Sequence, residues 1–515
     1  MALSSIVKKT CGVCGKVAVE KSRINFGTSK LITLECGHMT SEDVLAVTDY
    51  SSIVSSDNRK LMPYQVDGVK FIETSNARCL IGDEQGLGKT IQMLAAIKLH
   101  QDKLAPVLII TKSTIKLQWM WEVIRWTGNK KVQVIQTSKE LAIPGFDIYI
   151  TTYDLIKSEK IFEFVQIKTL VLDECQAIKN HLSGRAKAVQ KIAKNCEHVV
   201  GLSGTPIKNN AGEYFTILNL LQPSRFPTYQ GYLDRHCDSY GSMYGHKVGG
   251  LKNPEMFRSM TEDFIIRRTK KEVLKDLPPM DRRFYHVELG KKFEGAYKEA
   301  IKELEELMYK DDSAMTAKIA IMTRMREIAG LSKVAECVDY LTDWVLSSEA
   351  KIVVFVHHHS VASLLKAQID TWLASGDYPE SLHLHSGLDG DSRAELVKQF
   401  KESNSRILIA STLAAGEGLN LQFCSNAIML ERQWNPANEE QAEARFHRFG
   451  QLNPVTITYM IVTETIDEYF TELVEQKRAI VASTLDGQTI NWDSNSLLKD
   501  LADVMVAKGL KKWTL

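Results

Sequence analysis

In the run CLIGDEQGLGKT an apolar stretch ends in a glycine-bearing turn that leads straight into TIQMLAAIKLH, whose apolar residues recur at helical spacing. A strand, a tight turn and a helix N-terminus in that order aim backbone N–H groups at an anion. Gly86 and Gly88 permit the tight path, Lys89 is placed to neutralise β- and γ-phosphates, and the Thr90 hydroxyl is placed to hold magnesium. The general phosphate-loop pattern puts a glycine five residues before Gly88, and Asp83 stands there instead. A second acidic element, TLVLDECQ, ends an apolar run on Asp173 and Glu174. One carboxylate there can bind magnesium through water while its neighbour orients an attacking water. The expected cofactors are therefore ATP and Mg2+.

Another cluster lies near the N-terminus, where CGVCGK and ECGHM space Cys11, Cys14, Cys36 and His38 as Cys-x-x-Cys and Cys-x-His. Four sulfur and nitrogen ligands in glycine-bearing turns suit tetrahedral, structural Zn2+. Closed coordination leaves no open position for chemistry, so such a knuckle would grip DNA or a partner, or brace the neighbouring lobe. Unmetallated thiols in a turn-rich arm are the alternative. His357, His358 and His359 invite a metal reading too, but adjacent residues at a strand end point to opposite faces, which favours structural or nucleic-acid roles.

The elements that must position these groups can be read from the alternation of apolar runs. From Leu61 to Leu221, PVLIIT, FDIYITTY, KTLVLD and HVVGLSG alternate with helical stretches, which predicts a parallel sheet with crossover helices. Between Gln222 and Lys351 the strand-like runs disappear, and AYKEAIKELEELMYK and KVAECVDYLTDWVL carry helical spacing. A second alternating block follows, from KIVVFV through SLHLHSG, RILIAS and NAIMLE to TITYMIV. The fold expected is α/β, with two parallel-sheet lobes. Its domains are a zinc-binding module at 1–42, a first lobe at 43–222, a helical insertion at 223–350, a second lobe at 351–483 and a tail at 484–515. A chain of 515 residues is long enough for several such cores. Its 64 basic and 63 acidic residues give no bulk attraction for nucleic acid, so DNA contacts must come from local basic faces. No stretch reads as a signal peptide or as the roughly 20 apolar residues of a membrane helix. The expected location is cytoplasmic, in a bacterial cell or a virus-infected host, or nuclear in a eukaryote. Cysteines from Cys79 onward sit singly in apolar stretches, as reduced, buried thiols do.

In order, these residues resemble the Swi/Snf-type ATPases of helicase superfamily 2 over roughly Leu61 to Lys477, which implies two RecA-like lobes. LMPYQVDGV resembles the family's glutamine motif, implying that Gln65 reads the adenine edge and Tyr64 shapes the pocket. DEQGLGKT is the family's form of the phosphate loop, with Asp83 as a family marker among the cofactor-binding positions. DECQAIKN resembles its DEAH-type box, with Cys175 and Gln176 in place of Ala and His. GLSGTPIKNN matches the coupling motif around Ser203 to Pro206, and FIIRRTKKEVLKDLPP resembles the family's insertion. STLAAGEGLNL, with Gly418, resembles motif five, and QAEARFHRFGQ resembles motif six. The resemblance implies that Arg445 and Arg448 reach across the cleft to the γ-phosphate. An arginine from a mobile second lobe would couple hydrolysis to closure.

Corresponding motifs imply DNA contacts at Lys112, Ser113, Thr151 and Thr152 on the first lobe and at Ser386, Gly387, Ser411 and Thr412 on the second. Hydroxyls, lysines and amides at loop tips suit sequence-independent contact with the backbone. Lys112 stands where the family usually has proline. Arg267, Arg268, Lys270 and Lys271 could touch DNA or form a solvated face. KIVVFVHHHSV resembles motif four of annealing helicases. The expected activity is a DNA-dependent ATPase motor acting on branched or double-stranded DNA, by branch migration, fork reversal or strand annealing. The alternative is a translocase that strips bound proteins from duplex DNA.

Overall fold

The computed structural model describes residues 8–10, 17–26, 29–34, 36, 39–43, 49–207, 211–242, 245–308, 315–412, 419–433, 436–472 and 474–475. The chain divides into two compact units, 1–61 and 62–515. In the first, β1 (Lys8–Thr10), β2 (Val17–Phe26), β3 (Ser29–Leu34) and β4 (Met39–Asp43) form an antiparallel meander in chain order. Thr10 pairs with Val17, and Thr33 pairs with Met39. The β1–β2 and β3–β4 connections therefore leave the same end of this sheet, since antiparallel neighbours reverse direction at each turn.

The larger unit carries two parallel sheets. Chain order in the first lobe gives β5 (Arg78–Ile81), β6 (Val107–Thr111), β7 (Val132–Val134), β8 (Ile148–Thr152), β9 (Thr169–Asp173) and β10 (His198–Leu202). After a hairpin, β11 (Cys237–Ser242) with β12 (Gly245–Leu251), β13 (Ile265–Ile266) returns to that sheet, whose order is β13-β5-β10-β9-β6-β8-β7. Strands β6, β8, β9 and β10 are buried along their whole length, which is why they read as continuous apolar runs rather than as alternation.

The second sheet runs β14-β19-β18-β15-β17-β16, with β14 (Met280–Val287), β15 (Ile352–Val356), β16 (Leu382–Leu384), β17 (Ile407–Ser411), β18 (Asn426–Met429) and β19 (Val455–Val462). Alternate residues supply its two cores: Val353, Phe355, Leu408 and Ala410 pack on one face, and Ile352, Val354, Ile407 and Ile409 on the other. Helices Lys291–Met308 and Met315–Ser332 pack Tyr297, Ile301 and Leu304 against Met322, Met325 and Phe470.

The segment 223–350 is thus not wholly helical, as its sequence led us to expect. It carries a hairpin, a first-lobe edge strand and a second-lobe edge strand. MDRRFYHV, the sequence of β14, is mostly exposed and has a partner on one side only, so it lacks the apolar run by which buried strands are recognised.

Candidate functional site

Residues 82–88 join β5 to the helix Lys89–Leu99. Gly86 and Gly88 hold φ of +90° and +74°, a region nearly closed to residues with a Cβ. Beneath the turn, Gln65 accepts a hydrogen bond from Met62 N (3.0 Å) and donates to Leu87 O (3.3 Å), while Tyr64 packs with Leu87 and Leu274. Lys89 Nζ donates to the carbonyls of Asp83 (2.8 Å) and Glu84 (3.4 Å). Burial lowers the pKa of this ammonium, opposed by the carboxylates of Glu174, Asp83 and Asp173. Thr90 follows at the first turn of the helix and is half-buried.

At the end of β9, Asp173 Oδ2 accepts from Thr111 Oγ1 (2.7 Å) and Trp119 Nε1 (2.8 Å). Burial, together with the charge of Glu174, pushes its pKa up to about 6. Glu174 holds φ +49°, uncommon for a residue with a side chain, so the backbone turns sharply where the second carboxylate leaves the strand. Gln176 Nε2 donates to Glu174 Oε2, Ser203 Oγ donates to Gln176 Oε1 (2.6 Å), and Thr205 N donates to Ser203 Oγ (3.1 Å). A chain of hydrogen bonds therefore joins the acidic box to the 203–206 turn, and glutamine makes this link where histidine was expected. Gly204 sits directly on the phosphate loop: a Cβ there would lie 3.2 Å from Lys89 Nζ. Gln85 Nε2 and Thr205 Oγ1, in the loop and the turn that meet beside Lys89, are buried polar atoms with no partner among the described residues.

The second lobe closes on this loop. A Cβ at Gly86 would lie 3.3 Å from Arg448 Cβ and 3.9 Å from Ala444 O, so the segment bearing Arg445 and Arg448 lies against the loop's tip. Burial lowers the Arg448 pKa, with Glu122 and Tyr64 of the first lobe acting against that shift. Gly418 lies outside the described residues.

Beside Glu174 a groove of about 410 Å³ is lined by Lys112, Ser113, Thr114, Thr152, Gln176, Lys179 and Arg185. Across from it, a Cβ at Gly390 would lie 3.6 Å from Thr114 O, which brings the exposed Ser386–Gly387 loop towards this rim. Ser411 is half-buried at the end of β17.

Three expectations change. Thr151 has no exposed surface and Thr412 only 1%, so both hydroxyls are covered in this structure; on the first lobe only Thr152 of the pair lines the groove. Asp83 does not face a nucleotide with its side chain. Both carboxylate oxygens are engaged by Arg268 and Gln92, and what the residue offers the loop is its carbonyl, to Lys89. Arg267, Arg268 and Lys270 are not a solvated face or a DNA patch, since they pair with Gly82 and Gly204 carbonyls, Asp83 and Glu84 respectively. Sequence reasoning missed Thr111 and Trp119 altogether, and nothing in their local patterns signals a bond to Asp173. Arg268 had one unused signal: a buried aspartate in a glycine's place requires a cation. His358 Nδ1 meets Glu431 Oε1 at 2.6 Å, and Glu431 Oε2 accepts from the backbone N–H groups of His357 (2.7 Å) and His358 (2.9 Å), a structural use of that pair.

Among the described residues, no group of three or more His, Cys, Asp or Glu side chains is placed to hold a metal ion, and no helix is long and apolar enough to cross a membrane. Cys36 is half-buried in the β3–β4 connection, while Cys11, Cys14 and His38 lie outside the described residues.

Residues 64–337 match the model of the SNF2-related domain, and 332–450 match the helicase conserved C-terminal domain. Mouse "DNA annealing helicase and endonuclease ZRANB3" is 28% identical over 444 residues, covering 83% of this chain and 41% of that protein. The Xenopus tropicalis "SWI/SNF-related matrix-associated actin-dependent regulator of chromatin subfamily A-like protein 1" is 29% identical over 437 residues, covering 83% and 45%. This chain thus spans less than half the length of these two relatives. A solved structure, the Sulfolobus solfataricus SWI2/SNF2 ATPase core in complex with dsDNA, aligns with 21% identity and a TM-score of 0.40 over 86% of this chain and 95% of that one.

Proposed function

The chain belongs to the SNF2-related family of helicase-type ATPases, and from that premise we propose that it is a DNA-dependent ATPase motor that translocates on DNA and remodels branched DNA by branch migration, fork reversal or strand annealing. The observation that carries this reading is the composite cleft, in which the phosphate loop of one lobe meets the Arg448 segment of the other, beside a groove that borders Glu174. Lys89 leaves its loop carbonyls to hold β- and γ-phosphate oxygens, and Gln65 positions the loop and meets the adenine. Glu174 orients the attacking water, while Arg445 and Arg448 meet the charge that develops on the transferred group. Thr90 and Asp173 fit Mg2+, a hydroxyl and a buried carboxylate held by two donors; the ion would supply charge neutralisation across the phosphates. Gln176 and Ser203 carry the state of Glu174 to the 203–206 turn, so hydrolysis is felt at the groove on the other side of Gln176.

On the DNA side, Lys112, Ser113 and Thr152 are assigned to one strand's phosphates and Ser386, Gly387 and Ser411 to contacts from the second lobe. Backbone contacts of this kind let a motor step without reading sequence. The branched-DNA substrate is supported by the resemblance to a protein named as an annealing helicase. The N-terminal meander is proposed as a zinc module with Cys11, Cys14, Cys36 and His38 as ligands; both ligand-bearing connections leave the same end of the sheet.

The test compares ATP turnover and product formation on a four-way junction, a fork, plain duplex and single strand. Greater stimulation by the junction or fork, with strand exchange, is expected. Equal stimulation by plain duplex without junction processing would replace this reading with that of a protein-displacing duplex translocase.

A further inference from the structure

Residues 264–287 touch both halves of the cleft. At the first-lobe end, β13 runs beside β5, with Ile265 opposite Leu80 and Ile266 opposite Ile81. Main-chain bonds continue along the phosphate loop: Gly82 N donates to Ile266 O (2.7 Å), and Glu84 N donates to Arg268 O (2.9 Å). Arg268 then inserts its fork into the core of the loop. Nε donates to Asp83 Oδ1 (2.9 Å) and Nη2 to Asp83 Oδ2 (2.5 Å), with Gln92 Nε2 also donating to Oδ2 (2.9 Å). The carbonyl of this same Asp83 accepts from Lys89 Nζ at 2.8 Å. Lys270 follows: its backbone N donates to Glu84 Oε2 (2.7 Å), and its Cε lies 3.5 Å from the Cβ position of Gly86.

At the second-lobe end the same segment becomes β14, paired with β19 from Met280↔Val455 to Val287↔Val462. Arg282 Nε and Nη2 donate to the two oxygens of Glu443 at 2.8 and 2.6 Å. Glu443 is 2% exposed and also accepts from Tyr459 OH (2.5 Å). It ends the helix Pro436–Glu443, two residues before Arg445. His447 Nε2 lies 2.8 Å from Pro278 O, a further tie between the strap and the arginine segment.

We propose that residues 264–287 form an alignment strap in which two of the four arginines are positioning residues: Arg268 sets the phosphate loop and Lys89 through Asp83, and Arg282 sets the Arg445–Arg448 segment through Glu443. The proposal rests on the ATPase reading above and adds the device that keeps its two halves in register. In each lobe a buried carboxylate, Asp83 or Glu443, is gripped in fork geometry by an arginine from this one stretch of chain. A forked pair fixes direction as well as distance, which a lysine's point charge does not. Lysine keeps the charge of each pair and gives up only the fork, so no buried carboxylate is left uncompensated and the loss should appear first in turnover.

The test uses Arg268→Lys and Arg282→Lys in the full chain, with Arg283→Lys as control. Arg283 neighbours Arg282 on β14 but is exposed and pairs with Asp281 instead. We expect Arg282→Lys to cut DNA-stimulated kcat by more than about threefold while affinity for a fluorescent ADP analogue stays within about twofold, the signature of an interaction needed only in the transition state. Arg268→Lys should lower kcat and weaken the analogue together, and Arg283→Lys should do neither. The proposal is overturned if both folded lysine variants keep kcat within about threefold of wild type, or if Arg283→Lys matches their losses. Should a lysine variant fail to fold, Glu443→Gln replaces Arg282→Lys and Asp83→Asn replaces Arg268→Lys, each keeping shape and removing charge at its own end. If the parent hydrolyses no ATP on any DNA, the motor reading fails, and analogue binding by Arg268→Lys still tests the strap at the loop.

Discussion

Gly204→Ala adds one methyl where the 203–206 turn is seated on the phosphate loop. Its Cβ would lie 2.6 Å from Gln85 Cγ, 3.1 Å from Gln85 N and 3.2 Å from Lys89 Nζ. The Gln85 side chain can swing away, but the backbone nitrogen belongs to the loop and can move only with it. Gly204 is not among the glycines with positive φ, so the cost is steric rather than conformational. Inserting a methyl into a packed contact costs about 1–3 kcal/mol. Carried wholly by the closed, reacting site, that cost is roughly a five- to 150-fold loss of rate. Steady-state ATP turnover with saturating duplex DNA should show kcat falling in this range and KM for ATP rising, because Lys89 is displaced, with the unfolding midpoint little changed. A folded Gly204→Ala protein with kcat and KM both within about twofold of the parent would refute the claim that this turn is seated directly on the phosphate loop.

Thr111→Val removes a donor that favours ionised Asp173, whose pKa already stands near 6 through burial and Glu174. The carboxylate should then need a higher pH to ionise, so the acidic limb of the ATPase profile should move upward from about pH 6, and an unmoved limb would detach Asp173 from it. The sign for stability is the opposite: a carboxylate with a raised folded pKa contributes most below its unfolded value and loses that contribution as pH rises through about 6. Lys112→Ala should reduce the salt slope of DNA affinity by about one phosphate contact, whereas buried Thr151→Ser should leave it unchanged; the reverse result would remove the groove from the DNA path. Cys36→Ser should lower bound zinc from one equivalent per chain to none by metal analysis while ATP turnover persists, and a parent free of zinc would end the zinc reading.

The parts of the protein that could be read in advance are those whose chemistry is local. The strand, glycine turn and helix around Lys89, and the apolar runs of the buried strands, need no partner to be recognised. What escaped is what only tertiary pairing decides. Thr151 and Thr152 are identical in sequence terms, yet only Thr152 lines the groove. Asp83 reads as an odd residue in a nucleotide loop until Arg268, far along the chain, fills the space beside it. MDRRFYHV is polar because β14 is an edge strand, and its register is set by β19 rather than by an apolar face. Gln176 departs from the expected histidine and still links Glu174 to Ser203, because a side-chain amide both donates and accepts.

The central claim is that hydrolysis requires a group from each lobe, and Arg448→Ala tests it most directly. Single-turnover hydrolysis and binding of an ADP analogue should be measured on the same preparation with saturating duplex DNA. The composite cleft predicts that nucleotide binding survives while hydrolysis falls on the order of 10³-fold or more, as when a charge-stabilising arginine is lost from phosphoryl transfer. Hydrolysis within about tenfold of the parent would mean that the first lobe works alone and that the approach of Arg448 to Gly86 has no part in the chemistry.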